Sequence, residues 1–206
     1  MGQVREKVVG AARELFAARG YGSTGVADIR RAAGVHSGSL YYAFPTKQAV
    51  LEAVLEDYLQ RLDPYVIGPA WQGVDDPIDR IFALLGRYRG FLQETQCFFG
   101  CPIGSLALEL HAPEPGVREL LVANFDQWVL RVRRCLDDAG DRLPADLDRD
   151  QLARFVLVTM EGAVMLARTY RGLDHFDAAI AMLRAFFDRL DAAQAGGPSR
   201  AIRKLS

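Results

Sequence analysis

The chain has 206 residues, half of them hydrophobic and a quarter charged, which is the balance of a folded domain rather than of a disordered tail. No apolar run approaches the roughly 20 residues that a membrane-spanning helix needs. The mixed charges of the first 20 residues are not typical of a signal peptide, and three cysteines favour a reducing cytoplasm over a disulfide framework. We therefore expect a cytoplasmic protein.

Charge is distributed unevenly along the chain. Residues 1–50 contain seven basic and three acidic side chains, a balance of +4, whereas the remaining residues have a balance of −5. A basic N-terminal segment on an acidic body is compatible with a polyanionic partner that only this segment contacts. The same asymmetry also occurs by chance in many soluble proteins.

Four helices are predicted in the first quarter of the chain. The first ends at Gly20, which suits a left-handed C-terminal position, and the second begins with Thr24 as its N-cap and ends at Gly34. A short third helix stops before Pro45, and a fourth runs to Pro64.

The rest of the chain predicts five further helices. A loop follows Pro64, and Asp76 and Pro77 then open a long helix that "CFFGCP" interrupts. A short helix over "IGSLALEL" follows, and the last three helices cover about residues 113–135, 151–170 and 176–194. Because no segment of useful length alternates like a strand, the fold class is all-α with about nine helices.

Residues 24–44, "TGVADIRRAAGVHSGSLYYAF", have the pattern of a helix-turn-helix, with the motif at about 25–44. Apolar spacing places Ile29, Ala33, Val35, Leu40 and Phe44 inward. The outward residues of the second helix are short and uncharged, so a phosphate-lined groove can come close to its backbone. An ordinary helical hairpin with a polar face explains the same pattern.

The stretch "GSLYYAFPTKQAVLEAVL", preceded by "DIRRAAGV" and "ARELFAARGY", resembles the N-terminal domain of the TetR family of bacterial transcription regulators. The specific resemblance covers about Val4 to Leu62. It implies a three-helix helix-turn-helix DNA-binding domain over 2–62 and a larger helical-bundle domain over 63–194 that binds ligand and dimerises. Residues 195–206 are expected to form a disordered tail.

The resemblance implies a homodimeric repressor that binds double-stranded DNA at a near-palindromic operator and is released by a small organic effector. The implied DNA-contacting residues are Thr24, Ser37, Gly38, Ser39, Tyr41, Tyr42 and Lys47. His36 replaces the serine that usually caps the recognition helix, and Arg30 replaces an apolar residue. Arg30, which we add to the DNA-binding set, and Arg31 either supply phosphate-binding charge or form surface salt bridges.

Two recognition helices must reach major grooves about 34 Å apart, so we expect the protein to dimerise. The last two helices are the expected interface. Small residues on the first of these helices and an apolar stripe on the second would permit close helix approach. The predicted interface residues are Phe155, Gly162, Ala163, Phe176, Ile180, Leu183 and Phe187. An intramolecular core is the alternative for these residues.

The effector site is predicted from polar or polarisable residues on otherwise apolar helices, because ligand sites are mostly apolar with a few oriented polar groups. The candidates are Tyr88, Phe98, Phe99, Cys101, Trp128, Met160, Glu161 and Met165. They favour an uncharged or cationic organic ligand, and each of them could equally be plain core.

Cys101 supports an alternative function, that of a thiol-based sensor of electrophiles or oxidants. Its position at the start of a short helix predicts a lowered thiol pKa, because the helix dipole and free N–H groups stabilise a thiolate. A buried, inert cysteine is the other interpretation.

No metal site or cofactor is expected. Cys97 and Cys101 lie four residues apart with His111 downstream, but a fourth zinc ligand is lacking. "GYGSTG" matches the dinucleotide-binding fingerprint, but it follows a helix instead of a strand. A helical enzyme is the least favoured alternative, since the sequence carries no recognisable catalytic motif, and we expect the protein not to be an enzyme.

Overall fold

The computed structural model describes residues 2–195, with side chains placed through residue 192. The described residues form ten α-helices and no strand, which confirms the all-α prediction of about nine helices, since one of the ten is a single turn. The helices are α1 Gly2–Arg19, α2 Val26–Ala33, α3 Ser37–Ala43, α4 Lys47–Arg61, α5 Gly68–Trp71, α6 Pro77–Glu94, α7 Pro102–Glu109, α8 Pro115–Asp138, α9 Arg149–Tyr170 and α10 Asp174–Ala195. No described helix is both long enough and apolar enough to cross a bilayer.

We call residues 2–62 the head and residues 63–195 the body. In the head, α1 packs on α2, α3 and α4, and in the body α9 packs on both α8 and α10. The predicted tail lies outside the described residues except for its first residue, Ala195, which still belongs to α10.

Local signals set most helix ends. Gly20 and Gly34 have positive φ angles of 83° and 63°, as their predicted positions after α1 and α2 require. The Ala49 N–H donates to the Thr46 hydroxyl at 3.0 Å, and the Asp76 carboxylate accepts from two N–H groups at the start of α6. The capping expectations for α4 and α6 are thereby confirmed.

Two local predictions are wrong. Gly25, and not Thr24, is the N-cap of α2, and its N–H donates to the Asp28 carboxylate at 3.1 Å. The chain also does not enter a loop at Pro64, because Leu62–Ile67 forms a π-helical turn that joins α4 to α5. A π-helical turn bonds residues five positions apart, and this change of hydrogen-bond pattern accommodates a proline that lacks an N–H.

Helix α4 connects head and body because both hold it. Arg13 of α1 pairs with Asp57 of α4, their closest N and O atoms 2.6 Å apart. The buried Asn124 of α8 donates its side-chain amide to the carbonyl of Leu55 on α4, at 3.1 Å, and to the carbonyl of Leu120, at 2.8 Å. A buried amide with two carbonyl partners fixes the register of α4 against α8.

We expect Asn124→Ala to lower the free energy of unfolding by about 1–3 kcal/mol, because it leaves the Leu55 carbonyl without its side-chain partner in a buried site. Asp126→Ala, two residues along on the exposed side of α8, is the matched control and should change stability little. Urea unfolding at fixed protein concentration measures both. Equal stability of the two variants would contradict a linking role for Asn124.

Candidate nucleic-acid interface and ligand cavity

Helices α2 and α3 form a tight helix-turn-helix. The left-handed backbone at Gly34 ends α2, and the Gly34 and Val35 N–H groups donate to the carbonyls of Arg31 and Arg30. Ile29, Leu40 and Phe44 are no more than 1% exposed and anchor the two helices in the core of the head. The apolar half of the predicted motif therefore packs inward as its spacing requires.

The opposite face of α3 lies open to solvent. Tyr42 is 74% exposed and Tyr41 is 55% exposed, which is unusual for large aromatic side chains. The remaining exposed members of this face are Ser37, Gly38 and Ser39. A Cβ added at Gly38 would meet no atom within 4 Å, so a flat or concave partner can approach the helix backbone at this point.

The other predicted DNA-contacting residues lie around this face in different environments. The Thr24 side chain is 1% exposed, and its hydroxyl donates to the Gly20 carbonyl at 2.7 Å, so it acts inside the head. Arg30 is half-buried and makes no ion pair with a described residue, whereas Arg31 lies 3.5 Å from the Asp28 carboxylate. The salt-bridge interpretation therefore fits Arg31 and not Arg30.

Lys47, at the start of α4, contacts the loop between α1 and α2. Its Nζ lies 4.0 Å from the centroid of the Tyr21 ring, in a cation–π contact. Partial burial lowers the pKa of Lys47, and the nearby Glu109 carboxylate opposes that shift.

Glu109, at the end of α7, bridges body and head. One carboxylate oxygen accepts from the Tyr21 N–H at 2.8 Å and the other from the Gly22 N–H at 2.6 Å. The two glycines on this loop make the contact possible, since a Cβ at Gly20 or Gly22 would lie about 3 Å from the carboxylate. Sequence reasoning missed Glu109, because nothing local marks a residue that contacts a loop 87 positions away.

A cavity of about 250 Å³ lies in the body between α4, α6, α8, α9 and the start of α7. Five of the eight predicted effector residues line it, namely Tyr88, Cys101, Trp128, Met160 and Glu161. The lining residues that sequence reasoning missed include Tyr58, Tyr65, Phe91, Asn124, Phe125 and Leu157. Tyr65 belongs to the segment that was expected to be a loop, so its position depends on the π-helical turn.

Three predicted effector residues lie outside this cavity. Met165 lines a neighbouring cavity on the other side of Glu161 and is 48% exposed. Phe99 lies in a groove between α1 and the body. Phe98 is 48% exposed, and its ring packs on Phe99 and beneath the Arg171 guanidinium.

Two polar atoms of the cavity lining are buried without a hydrogen-bond partner among the described protein groups. They are the indole Nε1 of Trp128 and the Oε1 atom of Glu161. The carboxylate lies so close to α7 that a Cβ at Gly104 would come within 2.2 Å of it. Unpaired buried polar atoms are rare in native proteins, and in a cavity they are candidate ligand contacts.

Cys101 caps α7 but does not have the predicted lowered thiol pKa. The Gly104 N–H approaches its Sγ at 3.5 Å. Burial of the side chain and the neighbouring Glu161 carboxyl raise the thiol pKa well above its ordinary value, and they outweigh the opposing effect of the helix N–H groups. Of the two interpretations of Cys101, the buried, inert thiol therefore fits and the stabilised thiolate does not, because a helix N-terminus favours the anion only where burial does not oppose it.

The predicted dimer-interface residues separate into two groups. Ala163, Phe176, Leu183 and Phe187 are at most 3% exposed and pack within the protein's own core, so for these the interface prediction is wrong. Phe155 is 53% exposed, and Gly162 and Ile180 are half-buried. The stripe on α10 points inward because α6 and α9 cover it.

The structure exposes a different apolar stripe on α9 and α10. It consists of Phe155, Val158, Met165, Leu166 and Tyr170 on α9 together with Met182 and Phe186 on α10, each between 37% and 70% exposed. We call these residues the apolar stripe. Among the described residues, no group of three or more His, Cys, Asp or Glu side chains could hold a metal ion.

Native Cys101 should react slowly with thiol reagents. All three cysteines are buried, and the raised pKa of Cys101 keeps it a thiol at neutral pH. We expect Ellman's reagent to label the native protein at least about tenfold more slowly than the chain in guanidinium, where all three thiols react. Rapid labelling of Cys101 in the native protein, located by peptide mass spectrometry, would contradict this prediction and support a thiol-sensing function.

Glu109→Gln should loosen the loop that Glu109 holds. The variant replaces one acceptor oxygen by an NH₂ group and removes the charge, so the Tyr21 and Gly22 amides should exchange with solvent at least about tenfold faster by NMR. Glu114→Gln changes an exposed glutamate whose side chain makes no cap bond, and should leave both amides protected. Unchanged exchange in Glu109→Gln would show that the contact does not order the loop.

Comparison with known proteins matches the two parts of the chain to two family models. Residues 8–54 match the model of bacterial regulatory proteins of the tetR family. Residues 77–183 match the tetracyclin repressor-like C-terminal domain.

Two relatives align over most of their lengths. The HTH-type transcriptional repressor DhaR of Mycobacterium sp. (strain GP1) is 30% identical over 176 residues, covering 84% of this chain and 87% of DhaR. The HTH-type transcriptional regulator LmrA of Bacillus subtilis is 29% identical, covering 82% of this chain and 88% of LmrA.

A solved structure has the same arrangement of helices. Regulatory protein TetR from Rhodobacter sphaeroides superposes with a TM-score of 0.77 at 26% identity, covering 89% of this chain and 96% of that one. The matched models, the relatives that align over most of their lengths and the exposed helix-turn-helix agree, and the chain belongs to the TetR family of DNA-binding transcriptional regulators.

Proposed function

We propose that this regulator is a cytoplasmic repressor that binds a near-palindromic operator as a homodimer and leaves it when a small organic molecule occupies the body cavity. In this proposal residues 2–62 bind DNA and residues 63–194 dimerise and bind the effector. The relative DhaR is described as a repressor, which supports repression over activation.

The exposed face of α3 is the main observation in favour of DNA binding by residues 2–62. Its two tyrosines are exposed, and the other exposed residues between them and the helix start are a glycine and two serines. Tyrosine and serine hydroxyls can bond phosphates or base edges once the helix lies in a major groove. Lys47 and the unpaired Arg30 provide nearby positive charge for the DNA backbone.

The apolar stripe supports dimerisation through α9 and α10. On α9 the spacings of three, seven, one and four positions keep the stripe residues on one side of the helix, and on α10 the two members are four positions apart. Exposed apolar faces of this extent are typical of interfaces. Pairing with a second copy would bury them and would hold two recognition helices at a fixed separation.

The cavity and α7 support control by a ligand. Cys101 and Ile103 at the start of α7 line the cavity, and Glu109 at its end holds the head loop. Because α7 has only eight residues, these ends are about 12 Å apart along one rigid element. A ligand that binds one position of α7 better than another would shift the head, and thereby the operator affinity.

Thiol sensing and catalysis have less support. Burial and the raised pKa of Cys101 oppose a reactive thiolate in this conformation. The family is one of transcription regulators, and the proposal includes no catalytic step.

Tyr42→Ala should weaken operator binding about 10- to 100-fold, equivalent to about 1–3 kcal/mol, because the exposed ring and hydroxyl contact DNA in the proposed complex. The operator is obtained by selecting bound sites from random duplexes, and fluorescence anisotropy at fixed salt concentration gives the affinities.

Tyr42→Phe is the matched control, since it keeps the ring and removes only the hydroxyl. A loss in both variants assigns the effect to the hydroxyl, and a loss in Tyr42→Ala alone assigns it to the ring. Operator affinity of Tyr42→Ala equal to that of the unaltered protein would contradict the placement of α3 in the groove.

Val158→Asp should convert the dimer to a monomer, because it places a charge within the apolar stripe. Leu108→Asp is matched in exposure, at 66% against 67% for Val158, but lies on α7 away from the stripe, and should remain dimeric. Analytical ultracentrifugation measures both. Dissociation of both variants, or of neither, would contradict the proposed interface.

A further inference from the structure

We infer that the body cavity recognises an organic cation, namely an aromatic or largely apolar amine whose ammonium group lies against the Glu161 carboxylate. The inference rests on the proposed function, since it names the chemical class of the effector. It is derived from the charged and aromatic side chains that line the cavity.

Glu161 is the acidic residue of the cavity lining, and it has no counter-charge. No arginine, lysine or histidine nitrogen lies within 4 Å of its carboxylate among the described residues. Its Oε1 atom is buried without a hydrogen-bond partner. Burial raises the pKa of Glu161, and the Cys101 thiol is the hydrogen-bonding neighbour that opposes this shift. A ligand cation beside the carboxylate would stabilise the ionised form that burial disfavours.

The walls of the cavity suit the same ligand. Six aromatic side chains line it, namely Tyr58, Tyr65, Tyr88, Phe91, Phe125 and Trp128. Aromatic faces attract cations, so a lining with one carboxylate and several aromatic side chains suits an ammonium group attached to an apolar body. At about 250 Å³ the cavity is small for a ligand site, which favours a molecule of one or two fused rings.

The two arginines of the lining do not oppose this assignment. The Arg61 guanidinium stacks on the Tyr65 ring, 4.0 Å from its centroid, and lies 3.8 Å from Asp57. Arg87 is exposed. On the other side of Glu161, the Arg168 guanidinium donates a hydrogen bond to the Ser105 hydroxyl at 3.0 Å. None of these cations therefore neutralises Glu161, and none is buried inside the cavity to hold an anionic ligand.

The Trp128 indole adds a second polar group to the lining. Its Nε1–H faces the Tyr88 hydroxyl without the geometry of a full hydrogen bond, in a side chain that is only 3% exposed. An ether or hydroxyl oxygen on the amine could accept from this pair of donors.

The test uses three probes that share one ring system and differ in charge, namely 2-(aminomethyl)naphthalene, 2-naphthalenemethanol and 2-naphthoate. Calorimetric titration of the full-length protein at neutral pH gives their affinities. We expect the ammonium probe to bind at least about tenfold more tightly than the alcohol, and the carboxylate to bind more weakly than both.

Glu161→Gln keeps the shape of the side chain and removes its charge, so it should weaken ammonium binding about tenfold and alcohol binding less than about twofold. Glu119→Gln makes the same change at an exposed site on α8 and should alter neither affinity. Thermal melting checks that both variants are folded, and the ranking of the probes on the unaltered protein does not depend on either variant.

Carboxylate binding as tight as ammonium binding, equal binding of ammonium and alcohol, or no ammonium binding would overturn the assignment. Operator release is measured separately with the tightest probe. An ammonium probe that binds with the expected preference but leaves operator affinity unchanged would count against the effector function alone. A carboxylate that binds best and releases the operator would count against the charge assignment alone.

Discussion

Beyond the packing of α4 on α8, the position of the head on the body depends on one carboxylate that accepts from two backbone N–H groups. Besides the continuous α4, Glu109 joins the head loop to α7 through the amides of Tyr21 and Gly22. A charged acceptor shared by two N–H donors is among the stronger polar contacts in proteins. Gly20 has a double role here, since its left-handed backbone ends α1 and its missing side chain leaves room for the carboxylate.

The start of α7, at the opposite end from Glu109, lines the cavity. Gly104 permits contact between α7 and Glu161 of α9, so a ligand that draws on the Glu161 charge also acts on the helix that positions the head. Coupling free energies between ligand sites are typically about 1–3 kcal/mol. A shift in a single charge-assisted contact is of that size, so α7 can account for the coupling without a large rearrangement.

Sequence reasoning succeeded where the determining interactions are local. Gly34, Thr46, Asp76 and Pro77 set helix ends through their own backbone preferences and caps, and those ends lie as predicted. It failed at Thr24, whose hydroxyl donates to the Gly20 carbonyl instead of capping α2, and at Pro64, where the chain continues through a π-helical turn. At Cys101 the helix N-terminus was identified correctly, but burial beside Glu161 reversed the direction of the pKa shift.

By itself the sequence determined the all-α class, the helix-turn-helix with its outward Ser37–Tyr42 face and the family resemblance, because helix periodicity, caps and turn glycines act over a few residues. Only the tertiary structure decided which apolar stripe faces solvent, since Phe176 and Phe155 look alike in sequence and differ in what packs on them. It also decided the unpaired state of Glu161 and the contact of Glu109 with the head. These depend on groups far apart in the chain, and no local pattern records which of them meet.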